Sequence, residues 1–391
     1  MFKEYKEDKM LEKFKINKKL FKQLDFGIIS ICITIVLFGS LNILSATQWI
    51  YRGSNMGSTT INYHYLKMQL LWLVIGLIAM YLVLLIDYTV IQSYANVIYW
   101  CGIFLLFLNA VMPHKVNGAE SWLKIGSLPS FQPSEFAKIG LIIIISKKLD
   151  DMEGNVNNIK NFLILAGYAI IPVAFLLKQP DMGMTMFFFF ILLGMFFIAG
   201  LNSKAIVGGL IGVFFSVALV WNSGIIKTYQ KSRLISFLYP DADPLGTGLQ
   251  LVQSQIGIGK GGIFGTGFLK GSWAAVGSTP ESSTDCIFSV LGEEWGLVGA
   301  IFLLALYGLL IYKFVRIAKN SKDIFGTMLT AGVISIFLFS VLQNIGMNIG
   351  IMPITGLTLP FMSYGGSSII TTFLCVGLVL NVGMRRKKIN F

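Results

Sequence analysis

Long unbroken apolar stretches, separated by short polar or charged turns, dominate the chain. They fall near 26–46, 67–87, 90–112, 134–147, 161–178, 182–200, 203–222, 287–315, 324–349 and 363–384. Within them the apolar residues are continuous, as from Phe187 to Phe197. Strict alternation would mark barrel strands with one face in lipid. Continuity over such lengths marks helices that cross a bilayer. In hydrocarbon the backbone must satisfy its own polar groups, and a helix does so within one segment. The expected fold is therefore an all-α integral membrane protein, a polytopic bundle of about ten transmembrane helices. The fourth segment is short and opens at the polar turn Gln132-Pro133-Ser134-Glu135. One long loop, about 223–286, is Gly-rich yet carries several apolar residues, which predicts partial re-entry or packing on the bundle.

Composition strengthens this reading. Hydrophobic residues make up 55% of the 391 and charged residues 13%, whereas soluble domains carry about 25% charged residues. The net charge of +12 would suit nucleic acid if it formed a face, but it sits at the ends and in short loops. Lys3, Lys6, Lys9, Lys13, Lys15, Lys18, Lys19 and Lys22 lie in the first 25 residues, and Arg385, Arg386, Lys387 and Lys388 close the chain. Basic flanks beside apolar spans mark the cytoplasmic side, and they can also touch anionic lipid. Ten spans put both termini on that side. Lys147, Lys148, Lys160, Lys204, Arg316, Lys319 and Lys322 then fall inside, and the loop near 350–362 has no basic residue. The expected organisation is a cytoplasmic tail 1–25, a single transmembrane domain 26–384 with the loop 223–286 outside, and a cytoplasmic tail 385–391. Cys32, Cys101, Cys286 and Cys375 are widely spaced, and His64 and His114 are too scattered to build a metal site alone.

Several residues carry candidate chemistry. Gly257, Gly259 and Gly262 fit G-x-G-x-x-G, but no βαβ unit can form between membrane spans, so they read as turn-formers. Ionisable residues at membrane depth are costly and mark function by default. Glu135 and Lys138, spaced i, i+3, share a helix face. They suit either a structural ion pair or a cavity wall. Asp181 opens the sixth span, where a helix-start acid suffices to explain it. Glu293 and Glu294 are adjacent in the eighth span and would point about 100° apart. Asp285, in Ser283-Thr284-Asp285-Cys286-Ile287, stands where the long loop meets that span. It would suit a helix N-cap. At the mouth of the bundle, with Arg233 and Lys260 in the loop above, it would also suit a general base beside an anion-stabilising pair.

At these residues the sequence resembles a known family, the SEDS (shape, elongation, division and sporulation) wall polymerases, most closely its RodA branch. The likeness covers nearly all of 26–384. Phe131-Gln132-Pro133-Ser134-Glu135 with Ala137-Lys138 matches F-Q-P-S-E-x-x-K. Gln179-Pro180-Asp181-Met182-Gly183 matches [EQ]-P-D-L-G. Arg233 through Phe237-Leu238, Asp243-Pro244, Gly246, Gly248 and Gln253-Ser254 match the long-loop signature. Pro280-Glu281, Thr284-Asp285-Cys286-Ile287-Phe288 and Gly292-Glu293-Glu294 match the catalytic stretch. Asn344-Ile345-Gly346-Met347, Pro353, Gly356, Leu359-Pro360-Phe361 and Ser363 to Ser368 match the last signature. Departures are Glu120-Ser121 before Trp122, where relatives often carry a basic residue, Ser282-Ser283 for a basic-plus-His pair, and Cys286 for Phe.

The resemblance implies an inverting peptidoglycan glycosyltransferase that polymerises lipid II at the outer face of the bacterial cytoplasmic membrane, for elongation or division. Asp285 would deprotonate the acceptor hydroxyl. Undecaprenyl pyrophosphate would leave, its charge met by basic residues, with Arg233 and Lys260 as candidates. A divalent cation, Mg or Mn, is the candidate cofactor, with no ligands assigned. Glu135, Lys138 and Trp122 would line the cavity. The implied partner is a class B penicillin-binding protein, a transpeptidase that cross-links the new strands. Two other readings stand beside this one: a lipid II flippase, and a non-enzymatic scaffold for that transpeptidase.

Overall fold

The computed structural model describes residues 18–54, 63–112, 114–116, 119–124, 130–179, 181–221, 228–240, 246–271, 273 and 281–385. The basic stretches 1–17 and 386–391, together with Pro180, Asp243, Pro244 and Pro280 of the expected motifs, lie outside the described residues.

The architecture is helical. After a single turn at Lys18–Phe21 come α1 (Phe26–Ser54), α2 (His64–Leu85), α3 (Tyr88–Ser93) and α4 (Ala95–Val111). A short hairpin follows, β1 (His114–Val116) and β2 (Ala119–Trp122), then α5 (Pro133–Asp151), α6 (Ile159–Lys178), α7 (Met182–Ile198) and α8 (Ser203–Trp221). Next are α9 (Thr228–Leu238), α10 (Thr247–Gly261), α11 (Ile287–Lys319), α12 (Ile324–Ile349) and α13 (Gly366–Met384). Each of the ten apolar stretches is helical. Among the described residues α1, α2, α6, α11, α12 and α13 are long and apolar enough to cross a membrane, and α4 and α7 are shorter apolar helices. The chain is a multi-pass membrane protein.

Three details differ from the expectation. The stretch 90–112 is two helices, because the Asp87 carboxylate caps α3 through the Thr89 amide and the helix is interrupted at Tyr94. The loop 223–286 holds two helices, α9 and α10. The antiparallel hairpin β1–β2, paired His114 to Trp122, was not signalled by its short, polar sequence.

Burial separates centre from rim. The apolar windows of α12 and α13 are 72% and 78% buried, against 28% for α2 and 22% for α6. α5 joins the centre, its face from Pro133 to Ser146 almost wholly buried. α13 packs on α2, and α12 packs on α5, α7 and α11. Polar bonds close one end. Arg385 pairs with Asp87 at 2.9 Å, the Asn381 amide donates to the carbonyls of Val83 and Ile86 at 2.6 Å each, and the Tyr88 hydroxyl donates to Asp323 at 2.6 Å. The site lies at the opposite end.

Candidate active site

Pro133 starts α5 where its missing N–H costs nothing, and Glu135 sits in the first turn. One turn on, the Lys138 ammonium meets the Glu135 carboxylate at 2.7 Å, with both side chains buried. Glu135 also accepts from the Thr371 hydroxyl of α13 at 2.6 Å. The Lys138 cation stands 4.7 Å from the centre of the Phe187 ring, where the ring's negative face attracts it. A buried pair must be this well bonded, because desolvating two charges otherwise outweighs their attraction. Both roles foreseen for the pair hold together: it joins helices, and it lines a cavity of about 50 Å³ with Gln132, Asp181, Thr358 and Ser368. That volume admits a few water molecules. Trp122 is not in its wall; it ends β2, half-buried.

Asp181 does cap α7, accepting from the Met184 amide at 3.0 Å. It also faces the cavity, with the Gln132 amide nitrogen 3.5 Å away. Burial pushes its carboxyl up, opposed by bonds from Met184 and Ser121 and by the charge of Arg233. Ser121 is thus tied to this acid.

Asp285 is held through its backbone. Its carbonyl accepts from the side-chain amides of Asn344 (2.9 Å) and Asn348 (3.1 Å) on α12. The Thr284 carbonyl accepts from the Ser363 hydroxyl at 2.7 Å, and the Ser283 carbonyl from the Tyr364 amide at 2.9 Å. The capping role fails: Cys286 is the N-cap of α11, with no side-chain cap bond. The carboxyl is pushed up to about 6, first by burial and then by the charge of Glu281, with Arg233 acting against both. Gly356 lets the backbone approach this group. It has a φ of 77°, and a Cβ there would stand 3.4 Å from the Asp285 carboxylate and 4.0 Å from the Arg233 guanidinium. Arg233, projecting from α9, donates to the Thr355 carbonyl at 3.3 Å.

Arg233 is therefore brought to Asp285, and Lys260 is not. The Lys260 ammonium lies 4.4 Å from the Trp273 ring centre, and Trp273 bonds Glu293, two turns or roughly 12 Å along α11 from Asp285. Among the described residues no group of three or more His, Cys, Asp or Glu could hold a metal ion. The charge of Arg233 acts on both Asp181 and Asp285.

The family described as "Cell cycle protein", of FtsW, RodA and SpoVE, matches residues 25–388. The chain belongs to the FtsW/RodA/SpoVE family. It is 35% identical to stage V sporulation protein E of Bacillus subtilis (strain 168), over 82% of this chain and 87% of that one. It is 31% identical to peptidoglycan glycosyltransferase RodA of Treponema pallidum, over 90% and 96%. Escherichia coli K12 peptidoglycan glycosyltransferase MrdB matches at 32%, over 96% and 98%. Among solved structures, a chain of a peptidoglycan synthase complex that coordinates polymerization and crosslinking superposes with TM-score 0.78 at 31% identity, over 93% of this chain and 98% of its own. Thermus thermophilus RodA does so with TM-score 0.69 at 29% identity, over 93% and 98%.

Among the described residues, Gln132, Glu135, Lys138, Asp181 and Gly356 line one cavity, and Gly356 stands against Asp285 and Arg233. Sequence reasoning had found Asp285, Arg233, Glu135 and Lys138. It had discounted Asp181, because capping already explained it, and it gave Asn344 and Asn348 no role. The signal for both asparagines was there: two side-chain amides four residues apart, on one helix face, in the last turns of an apolar span.

Proposed function

We propose that this protein polymerises lipid II as a peptidoglycan glycosyltransferase, with Asp285 as its general base. The observation that carries the reading is a carboxyl raised to about 6 beside the Arg233 guanidinium, both approached by the backbone at Gly356, in a chain whose relatives are named peptidoglycan glycosyltransferases. A carboxyl poised at about 6 is ionised at neutral pH yet basic enough to accept a proton as a sugar hydroxyl attacks. The hydroxyl oxygen bonds to the donor's anomeric carbon, the bond from that carbon to the pyrophosphate oxygen breaks, and the proton passes to Asp285. Attack from the face opposite the leaving group inverts the anomeric centre. Arg233 offers the planar fork that suits a phosphate and meets the charge that develops on it. Glu135 and Lys138 line the cavity that Asp181 and Gly356 also line.

The loop with Asp285 is placed on the outer face and both termini in the cytoplasm, from the basic flanks of the spans. The partner is a class B penicillin-binding protein, an assignment supported by the likeness to the synthase complex. A flippase would need a path for a polar headgroup through the bundle, and it would not need an acid beside a guanidinium at the loop. Purified protein with fluorescent lipid II, alone and with that partner, should give a ladder of glycan chains on a gel. Lipid II crossing vesicle membranes with no ladder under any condition would overturn the reading in favour of the flippase.

A further inference from the structure

The reaction leaves Glu293 and Glu294 unused, yet they are buried, at 0% and 2% exposure. An ideal helix would point them apart, but here both meet one loop. α11 is broken beside them, with Gly296 at φ 61° and ψ −159°. The carbonyls of Glu293 and Glu294 accept from the amides of Thr266 (2.9 Å) and Gly267 (3.0 Å). Beyond the break, the amides of Leu297 and Val298 donate to the carbonyls of Gly262 (3.0 Å) and Ile263 (3.1 Å). In an intact helix those two amides would bond those two glutamate carbonyls, four residues back. The loop is therefore spliced into the helix, and it supplies the backbone bonds that a spanning segment cannot take from water.

The side chains complete the splice. Glu293 accepts from the Trp273 amide at 2.8 Å. Glu294 accepts from the Leu269 amide at 3.1 Å and from the Ser45 hydroxyl of α1. Leu269 stands at φ 62°, a left-handed conformation that a branched side chain rarely adopts unless held. The same loop continues from α10, whose Gln250 amide donates to the Cys286 sulfur at 3.1 Å, one residue from Asp285.

We propose that Glu293 and Glu294 are positioning residues for polymerisation, acting as hydrogen-bond acceptors that fasten the 262–273 loop into the break of α11 and so fix α10 beside Asp285. The proposal rests on the polymerase reading for its catalytic consequence and on geometry alone for the splice.

The test uses full-length protein carrying Glu293→Ala, Glu294→Ala, Glu293→Gln, Glu294→Gln or Gly265→Ala. Gly265 has φ 79°, and a methyl there would meet the Glu294 carbonyl, which loosens the splice without touching a carboxylate. Deuterium uptake over 264–273 and initial rates on fluorescent lipid II are read in parallel. The alanine variants, Gly265→Ala included, should raise uptake in the loop and lower kcat about 10- to 100-fold, with KM changed less than about threefold. The glutamine variants keep an accepting oxygen and should retain the loop's protection and most of the rate. Unchanged uptake in both glutamate-to-alanine variants would overturn the proposal. So would glutamine variants as inactive as alanine with the loop still protected, since the charge would then be acting chemically. A wild type that makes no polymer refutes the polymerase reading, and the uptake arm still decides the splice.

Discussion

Replacing Asp285 by Asn separates catalysis from structure, and the geometry sets the size of both effects. Asn keeps the shape of the side chain and leaves the carbonyl bonds from Asn344 and Asn348 untouched. It cannot accept a proton, and losing a general base costs about 100- to 10,000-fold in rate. Stability should move the other way. The folded carboxyl sits at about 6 against an ordinary 3.8, so between those values the folded state binds more protons than the unfolded chain, and stability falls as pH rises. Two pH units at about 1.4 kcal/mol each give about 3 kcal/mol; partial solvent exposure reduces this to about 1–2 kcal/mol. Asp285→Asn removes that cost. It should melt at or above the wild-type temperature at pH 7.5 and lose the advantage near pH 4, where the wild type is also neutral. Lipid II polymerisation read on gels, with melting curves at both pH values, decides the matter. An Asn variant that polymerises at the wild-type rate refutes the mechanism, and one that melts well below wild type at pH 7.5 refutes the electrostatics.

The wild-type rate should show an acidic limb with a midpoint near the carboxyl's value of about 6, rising with pH as the base ionises; a limb near 4 would mean that another group titrates. Arg233→Gln removes the cation that lowers the Asp285 carboxyl, so the limb should move up in pH and the KM for lipid II should rise; an unchanged profile and KM would discard its role. Lys138→Met leaves Glu135 charged, buried and unpaired, which should destabilise by about 3–5 kcal/mol, whereas Glu135→Leu combined with Lys138→Met should recover much of this in detergent melting curves. Single cysteines placed at 264 and 391 in a background without native cysteines should react with an impermeant reagent in intact cells at 264 alone; labelling at 391 would invert the topology.

The helices were legible because lipid imposes one simple rule, a continuous apolar run of sufficient length, and every expected stretch from 26 to 384 is helical, with 90–112 in two pieces. The ion pair Glu135–Lys138 was legible because three residues of helix fix two side chains on one face. The position of Lys260 was not, since its distance from Asp285 depends on how α10 lies along α11. Trp122 failed for a similar reason: its hairpin is set by pairing with His114, which no periodicity announces. The break in α11 left almost no trace, because every residue from Glu293 to Val298 except Gly296 is compatible with a helix. Asp181 shows the opposite error, a local explanation that was true and concealed a second role.

α13 bonds what precedes it in the chain: Thr371 reaches Glu135, Asn381 reaches the end of α2, and the segment just ahead of it fastens Ser283 and Thr284. During synthesis, then, the earlier helices enter the bilayer before Thr371 and Asn381 can tie them, and the Glu135–Lys138 pair waits for its third partner. A chain cut before residue 366 should remain embedded in the membrane with Glu135 and the end of α2 lacking the bonds from Thr371 and Asn381, so its helices should part more readily in detergent.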